Sequence, residues 1–433
     1  MAASQNAEQM LKDLLKWWQK SNPDFTKTAI DSGNKATLIH LASEKGYVPI
    51  VKELIAMGAD VNSQDSNSTS SLHLASRGKH LEVMKLLLEN GANPNAVDSK
   101  KSTPLHDTCE IEYIEGTELL LQKGANINML DEEGYTPLYL ALETGLVEIC
   151  EVYFNHMPEL VNQVLLKANQ VENYPIHIAC HHGEVDVVKL LIRKGANPTV
   201  KNSTGDSPIR MAIRAENCEV VKLLLQRFPK LIKETKGGCT LLHTAAGNKS
   251  DEIVRELLKH NMNINSQSSQ IRLTPLHIAC AGIFGSKAIV KLLIENNANL
   301  NLKDINGCTP LHLAIKTKNL EIAEILLQSK KCNLKIKNRN GKTALDVSLE
   351  ENHLGIAKII SKEIDKLLDD QGLNQSKISK NCVICFEAKN GIFALLPCYH
   401  ANSCEKCSIK IVNDSEKCPI CRADVQNYQK IYI

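Results

Sequence analysis

The sequence has few of the features that identify several large classes of protein. Aromatic residues make up only 4% of the 433 residues, which argues against an aromatic-rich β-sandwich. No run of about 18 consecutive apolar residues occurs, and residues 1–22 contain no long apolar stretch, so neither a membrane span nor a signal peptide is expected. The 51 basic and 49 acidic residues leave a formal charge of +2, which argues against binding to nucleic acid or a membrane through bulk charge.

Aliphatic residues are abundant instead, and the hydrophobic fraction of 43% is normal for a globular chain. This composition favours helices that pack through Leu, Ile and Ala side chains. A chain of this length without an export signal is expected to keep its 15 cysteines reduced or bound to metal. We therefore expect a helical protein of the cytosol or nucleus.

One motif recurs along most of the chain. The string T-P-L-H at 103–106 returns with at most one change in three further places, and looser copies stand between them. The spacing between successive copies is about 33 residues, except at one place where it is 38. This period and motif resemble the ankyrin repeat, which implies an all-α solenoid of about ten helix-turn-helix repeats over residues 34–363. The fourth motif position, the anchor, is held by His40, His73, His106, Tyr139, His177, Arg210, His243, His277, His312 and Asp346.

The residues around each anchor predict where helices begin and end. Thr103 can cap a helix with its hydroxyl, and Pro104 suits the first helical position, where a missing N–H costs nothing. A second helix is predicted in each unit, as over Leu81 to Glu89, where Leu81, Met84, Leu87 and Leu88 share one face. One such unit cannot bury its apolar face alone, so the units must stack. The second helices are expected to end at residues that tolerate the left-handed conformation, namely Gly58, Gly91, Gly124, Gly195, Asn261 and Asn297.

These patterns divide the chain into four parts: an N-terminal capping helix region (1–33), ankyrin repeats (34–363), a linker (364–380) and a C-terminal domain (381–433). An amphipathic leading helix is predicted over 7–19, and a trailing helix over Leu354 to Leu368. Trp17 and Trp18 are expected to cover the core of the first repeat; the alternative is a membrane or partner anchor.

Seven anchors are histidines, a number that could indicate metal or acid–base sites. A residue repeated in every unit is better explained by a repeated backbone hydrogen bond. His181 and His182 are adjacent but lack a second pair of ligands nearby, so a metal role is the weaker interpretation. The eight cysteines scattered through the repeats are expected to be small buried hydrophobic residues. The longer spacing predicts an insertion around 155–173, which is either a longer turn or a local contact loop.

No phosphate-binding loop and no nucleophile elbow occurs in the repeats. Stacked repeats expose a long concave face whose variable positions can match a protein partner. The repeats are therefore predicted to bind a protein and not to catalyse a reaction.

The C-terminal region has a different composition. Between residues 382 and 421, seven cysteines and one histidine follow the pattern C-x2-C-x12-C-x-H-x3-C-x2-C-x10-C-x2-C. Eight thiolate and imidazole ligands make two tetrahedral structural zinc sites, which have no open position for chemistry, and a chance cluster or a redox site would not give this spacing. The region is too short to bury a sufficient core, so zinc must supply much of its folding energy.

The order of these ligands, with the histidine fourth, resembles the RING finger and not the PHD finger, in which the histidine is fifth. The resemblance implies that the ligands interleave. One zinc would be held by Cys382, Cys385, Cys404 and Cys407, and the other by Cys398, His400, Cys418 and Cys421.

RING domains of ubiquitin ligases dock a ubiquitin-conjugating enzyme on a shallow apolar groove. By resemblance, Ile384, Ile411 and Pro419 occupy the groove positions. Arg422 matches the linchpin cation that hydrogen-bonds both the conjugating enzyme and ubiquitin, since a planar guanidinium can bridge two partners in a way that a lysine cannot. The alternative is that the first three are minor core residues and Arg422 is a solvated charge; the four together favour the ligase.

The chain ends in a short apolar tail that contains Tyr428, Ile431, Tyr432 and Ile433. The tail resembles those of the C-terminal RINGs in inhibitor-of-apoptosis proteins and in mind bomb, which also contains ankyrin repeats. The resemblance implies a homodimer through the RING and tail, in which Tyr432 touches ubiquitin held by the partner chain.

Together these features predict a RING-type ubiquitin-protein ligase. Its repeats would bind a protein substrate, and its RING would recruit a charged conjugating enzyme and promote direct transfer of ubiquitin to a lysine, without a covalent intermediate on the ligase. The alternative is a non-enzymatic ankyrin-repeat scaffold with a structural zinc-binding dimerisation module. A nucleic-acid binder is weaker still, because the residues from 382 onward carry six basic against five acidic side chains.

Overall fold

The computed structural model describes residues 33–165, 172–248, 250–281 and 286–370, the strands 392–396, 400–403 and 427–431, and scattered positions between 13 and 28. The chain divides into two compact units, Met1–Lys236 and Gly237–Ile433. The described part of each unit is dominated by pairs of short helices, as the sequence predicts. None of the described helices is both long and apolar enough to span a bilayer.

The described part of the first unit contains six helix pairs. Two of the second helices are followed by a short 3-10 helix, at Pro158–Asn162 and at Pro229–Lys233, and a strand β1 lies at Thr235–Lys236. The helices are α1 (Leu38–Glu44), α2 (Val48–Ala56), α3 (Ser71–Arg77), α4 (Leu81–Glu89), α5 (Pro104–Glu110), α6 (Ile114–Gln122), α7 (Pro137–Glu143), α8 (Val147–His156), α9 (Pro175–His182), α10 (Val185–Arg193), α11 (Pro208–Arg214) and α12 (Cys218–Arg227).

The described part of the second unit contains four helix pairs and then a three-stranded antiparallel sheet of order β4-β3-β5. A strand β2 lies at Cys239–Thr240, and the sheet consists of β3 (Ile392–Leu396), β4 (His400–Ser403) and β5 (Asn427–Ile431). The helices are α13 (Leu241–Ala246), α14 (Asp251–Leu258), α15 (Pro275–Ala281), α16 (Lys287–Glu295), α17 (Pro310–Lys316), α18 (Leu320–Gln328), α19 (Ala344–Glu350) and α20 (Leu354–Asp370).

The predicted start and stop signals are confirmed. Helix α5 begins at Pro104, and the backbone N–H of its N-cap residue Thr103 donates to Nδ1 of His106 at 3.1 Å. All six predicted stop residues have a left-handed backbone, with φ of +87° at Gly91 and +62° at Asn297. Glycine takes this conformation without strain and asparagine at little cost, so these six second helices end where the sequence places these residues.

Within each unit, first helices pack on first helices of neighbouring pairs, and second helices pack on second helices. In α4, Val83, Met84 and Leu87 are completely buried, whereas Leu81 and Leu88 are only half-buried. The buried face of α4 is therefore centred on Val83, Met84 and Leu87 and not on the predicted face, which included Leu81 and Leu88. The second helices of both flanking pairs pack against α4. The stack of helical repeats is confirmed.

Two details differ from the prediction. The sequence predicts that Trp17 covers the core of the first pair, but its side chain is 66% exposed and faces solvent, as does that of Leu14, which is 53% exposed. The prediction for Trp17 is therefore wrong. Trp18 lies outside the described residues. Helix α20 extends two residues beyond the predicted end, to Asp370. In the insertion, the chain forms the first 3-10 helix and a single β-bridge between Leu165 and Asn173.

Candidate functional site

The residues predicted to hold zinc and to dock partners lie almost wholly outside the described part of the chain. Of the ligands only the backbone of His400 is described: it begins β4 and pairs with Leu395 of β3. The remaining predicted ligands outside the described residues are Cys382, Cys385, Cys398, Cys404, Cys407, Cys418 and Cys421. The predicted catalytic residue Arg422 also lies outside them, as do the predicted partner-binding residues Ile384, Ile411, Pro419 and Tyr432.

The donor chemistry of the C-terminal region fits zinc. It offers seven thiols and one imidazole, the ligand types that structural zinc prefers in sets of four. In the described part of the chain, no group of three or more His, Cys, Asp or Glu side chains could hold a metal ion. The helix pairs described here therefore offer no competing metal site.

The C-terminal tail joins the sheet of its own chain. Strand β5 pairs antiparallel with β3 from Ile392 opposite Ile431 to Leu396 opposite Asn427. Because the strand order is β4-β3-β5, β5 is an edge strand among the described strands. An open edge is a template for pairing with a further strand.

The seven histidine anchors all make the same two contacts. The backbone N–H of the N-cap residue donates to the ring Nδ1 at 3.1–3.3 Å. The ring Nε2 lies 3.0–3.2 Å from a backbone carbonyl in the turn that leads to the next pair. These carbonyls belong to Ser63, Ser102, Tyr135, Asp206, Leu273, Cys308 and Lys342. The predicted repeated backbone hydrogen bond is confirmed.

These contacts fix the protonation state of the rings. A carbonyl only accepts and a backbone N–H only donates, so the proton must sit on Nε2 of a neutral imidazole. Burial disfavours the charged ring and lowers the pKa of His40, His106, His177, His277 and His312. It lowers the pKa of His73 to about 4. The anchors are therefore structural connectors and are unsuited to proton transfer near neutral pH.

One anchor uses a different chemistry. Arg210 is 2% exposed, and its Nε lies 2.7 Å from Oε1 of Glu234, just after the second 3-10 helix. The hydroxyl of Ser207, the N-cap residue of α11, donates to the other carboxylate oxygen. The arginine therefore makes an ion pair where the seven histidine anchors use an imidazole, and its Nη2 also donates to the backbone carbonyl of Glu234 at 3.5 Å. Sequence reasoning missed it, because Arg210 and Glu234 are 24 residues apart and only the fold brings them together.

A second ionic cluster was also missed. Arg77 lies 2.8 Å from Asp98 in the next turn and 2.9 Å from Asp107 in the next first helix. Asp98 accepts backbone hydrogen bonds from Lys100 and Ser102, which holds the turn closed. Burial raises the pKa of Asp107 to about 7 even though Arg77 opposes the shift. The arginine thus connects one pair to the next beside the histidine contact.

Most cysteines of the repeats lie in the core of the described chain. Six are buried, and Cys239 and Cys332 are half-buried, which largely confirms their predicted role as small core residues. Burial raises the pKa of Cys109 and of Cys332 to about 12, and it also raises the pKa of Cys180. These thiols stay protonated near neutral pH and are poor nucleophiles.

Comparison with protein families agrees with this architecture. A model described as "Ankyrin repeats (3 copies)" matches residues 1–98, 90–156, 150–235, 228–304 and 281–370. A model described as "Zinc finger, C3HC4 type (RING finger)" matches residues 378–428.

Similar curated proteins share parts of the chain. Transient receptor potential cation channel subfamily A member 1 of Homo sapiens is 28% identical over 162 residues, which cover 36% of this chain and 14% of that protein. Rabankyrin-5 of Homo sapiens is 36% identical over 97 residues, which cover 22% of this chain and 8% of that protein. Palmitoyltransferase ZDHHC13 of Homo sapiens is 36% identical over 158 residues, which cover 36% of this chain and 25% of that protein. The chain spans at most about a quarter of these relatives, and the palmitoyltransferase similarity reflects ankyrin repeats.

Proposed function

The chain belongs to the ankyrin-repeat family, and we propose that it acts as a RING-type ubiquitin-protein ligase. The observation that carries the proposal is the match of residues 378–428 to a C3HC4-type RING finger behind a stack of ankyrin repeats. A RING finger provides a platform for a conjugating enzyme, and repeats provide a surface for a protein substrate. The two together suit a ligase that binds both.

In this proposal the platform consists of Ile384, Ile411 and Pro419, which form an apolar groove for the conjugating enzyme. Arg422 hydrogen-bonds the enzyme and ubiquitin together through its planar guanidinium. The two zinc ions, held by the eight predicted ligands, cross-link the surrounding loops and carry out no chemistry, because four protein ligands leave no open coordination position. The chain's contribution is to restrain the thioester.

The transfer step needs no nucleophile from this chain. A lysine amine of the substrate attacks the thioester carbonyl, the C–N bond forms, and the C–S bond to the conjugating enzyme's cysteine breaks. The high pKa of the buried repeat thiols supports a mechanism in which these cysteines never carry ubiquitin. Holding the thioester and the substrate together can lower the barrier by several kcal/mol.

The tail supports a finer proposal. We place the chain in the cytosol or nucleus and assign it a homodimer like those of inhibitor-of-apoptosis and mind bomb RINGs. The open edge of β5 supports pairing with a second copy. In that dimer Tyr432 of one chain would contact the ubiquitin held by the other.

The test is discharge of ubiquitin from a loaded conjugating enzyme onto free lysine, with the zinc-loaded full chain. Arg422→Ala should slow discharge by about tenfold or more, which corresponds to ~1.4 kcal/mol of barrier. Arg422→Lys is the matched control for charge: it should stay slow, because an ammonium lacks the planar fork. If the wild-type chain does not accelerate discharge with any conjugating enzyme of a full panel, the scaffold alternative replaces the ligase.

A further inference from the structure

A cavity of about 630 Å³ opens on the surface of the first unit. One wall is the loop after α10, which contributes Pro198, Thr199 and Lys201, and the other is the segment 227–234 that includes the second 3-10 helix. Pro198 and Phe228 are half-buried in these walls, and Leu231 is buried. The lining therefore offers an apolar recess large enough for one or two side chains.

The cavity lies where a repeated link between neighbouring pairs is missing. At five places in the described chain, an asparagine side-chain oxygen accepts a hydrogen bond of 2.7–3.0 Å from a backbone N–H of the next turn. The links run from Asn62 to Asn93, Asn95 to Asn126, Asn162 to Asn197, Asn265 to Asn299 and Asn301 to Asn333. Thr199 holds the corresponding position beside the cavity, and its hydroxyl bonds Asn197 of its own turn. The two walls lack this link, and the space between them stays open.

Four cations surround the recess. Lys201, Arg227, Lys230 and Lys233 are all exposed, and none of them forms a side-chain ion pair or hydrogen bond in the described part of the chain. The acid in the lining, Glu234, is neutralised by the buried Arg210. The rim therefore carries positive charge without a counter-charge, and the local field favours an anionic partner.

The first 3-10 helix shows that folding does not require these cations. It has the sequence Pro158-Glu159-Leu160-Val161-Asn162, whereas the second has Pro229-Lys230-Leu231-Ile232-Lys233. Both keep the proline and a buried leucine, and the two lysines of the second take the places of an acid and an amide. The same local structure forms with either set, so the lysines are free to serve an interaction.

A second cavity of about 350 Å³ adjoins the first and shares Arg227 with it. It lies between α8, α10 and α12, and Ile192, Arg193 and Leu223 contribute to its lining. Two neighbouring recesses around one shared cation fit an extended chain better than a compact small molecule.

The two adjoining cavities and the four cations Lys201, Arg227, Lys230 and Lys233 together form a basic groove. We propose that this basic groove binds a short acidic segment of a partner protein. An apolar side chain of the segment would occupy the larger cavity, and carboxylates on either side of it would lie against the four cations. The proposal rests on the proposed function only in that the partner would be a protein to be ubiquitinated. An apolar recess framed by charge accommodates a side chain flanked by carboxylates. A lipid headgroup would leave the recess empty.

The test measures fluorescence anisotropy of labelled peptides with the full chain. The probes are peptides of about ten residues, roughly 33 Å when extended, built from Asp and Glu with one central Leu, Ile, Phe or Trp. At least one should bind saturably, and replacing its central residue by Ser should weaken binding. The double variant K230E/K233E should weaken binding by about tenfold or more, and binding should fall with added salt. The matched control is Lys123→Glu, which reverses an exposed lysine at the end of α6, outside the groove.

Three results would overturn the proposal: no saturable binding by any peptide of the set, equal loss with Lys123→Glu, or preferential binding to vesicles of phosphatidylcholine and phosphatidylserine. Circular dichroism of each variant separates loss of the groove from loss of the fold. Discharge onto free lysine, measured in parallel, should be unchanged in K230E/K233E. Arg422→Ala should conversely keep its peptide binding, so failure of the groove and failure of the ligase give different results.

Discussion

Each anchor histidine satisfies two backbone groups with one neutral ring. The N-cap N–H has no partner inside its helix, and the carbonyl of the following turn is part-buried or buried beside the ring. In the His73 unit, Nδ1 accepts from Ser70 and Nε2 faces Ser102. A proton added at Nδ1 would set one donor against another and place a charge in an apolar site, so these rings make the repeats sensitive to acid.

We expect the repeats to lose stability as the pH falls from 6.5 toward 4. In that range the histidines bind more protons in the unfolded state than in the folded state. The free energy of unfolding therefore increases as the pH rises and decreases as the pH falls. His73, whose pKa drops from 6.5 to about 4, contributes roughly 3 kcal/mol at neutral pH. Asp107, whose pKa rises to about 7, and Glu184, whose pKa is also raised by burial, act in the opposite direction, but they are two groups against six histidines. Urea unfolding followed by circular dichroism from pH 4.5 to 7.5 measures the slope.

A matched pair of variants assigns the slope to the anchors. His73→Gln removes one buried ring and should flatten the stability profile below pH 6.5, whereas His181→Gln alters an exposed ring on α9 and should leave it as in the wild type. A profile that is level or falls with rising pH would contradict the assignment.

The anchors are also where sequence reasoning is strongest at this scale. A repeated histidine beside a helix start has a local partner three residues away, so its capping role follows from spacing, as at Thr103 and His106. Arg77 could not be interpreted in the same way, because its partners Asp98 and Asp107 lie 21 and 30 residues further along. Only the packing of consecutive pairs brings those charges within contact distance.

At the scale of elements, the buried ion pair of Arg210 and Glu234 joins α11 to the second 3-10 helix. Its side chains are 2% and 15% exposed, so each charge depends on the other for compensation. Breaking such a pair by removing one partner leaves a charge in a poorly solvated site, which costs more than the pair itself contributes. The pair therefore holds the second 3-10 helix, and the groove beside it, in position.

We predict that Arg210→Ala destabilises the first unit by about 3 kcal/mol. The double variant R210M/E234L should recover most of this loss, because neither charge remains buried. The control is Lys85→Ala, which removes an exposed pair with Glu82 on α4 and should cost less than ~1 kcal/mol. Hydrogen exchange of the amides of α11 and α12 gives the readout, and equal effects of Arg210→Ala and Lys85→Ala would sink the prediction.

The bounds of several α-helices could be predicted because they depend on local residues, whereas the two 3-10 helices depend on packing between pairs. Proline at the first helical position and glycine or asparagine after the last turn are local signals, and they place α5 and the end of α4 correctly. Pro158 and Pro229 follow the ends of α8 and α12, and the 3-10 helices that they begin form because Leu160 and Leu231 become buried. That burial depends on the neighbouring pair and cannot be read from the local sequence.

At the scale of the whole molecule, the repeats and the RING are expected to have different sources of stability. The helix pairs bury continuous apolar faces, with side chains such as Val51, Leu54 and Leu87 completely enclosed. Residues 381–433 form a segment that is too short to bury a core of that kind. Metal binding should therefore control the RING without controlling the repeats.

This difference predicts the outcome of zinc removal from the full chain. Chelation should release two zinc ions per chain, the number that eight ligands in sets of four would hold, and should abolish discharge of ubiquitin onto lysine. The helical circular dichroism signal should persist, because the eight repeat cysteines include six buried thiols and no described metal-binding group. Acidic-peptide binding by the groove should persist as well, since Lys230 and Lys233 lie in the first unit. Collapse of the helical signal on chelation would show that the repeats depend on metal, and persistence of discharge without zinc would remove the structural role assigned to the eight ligands.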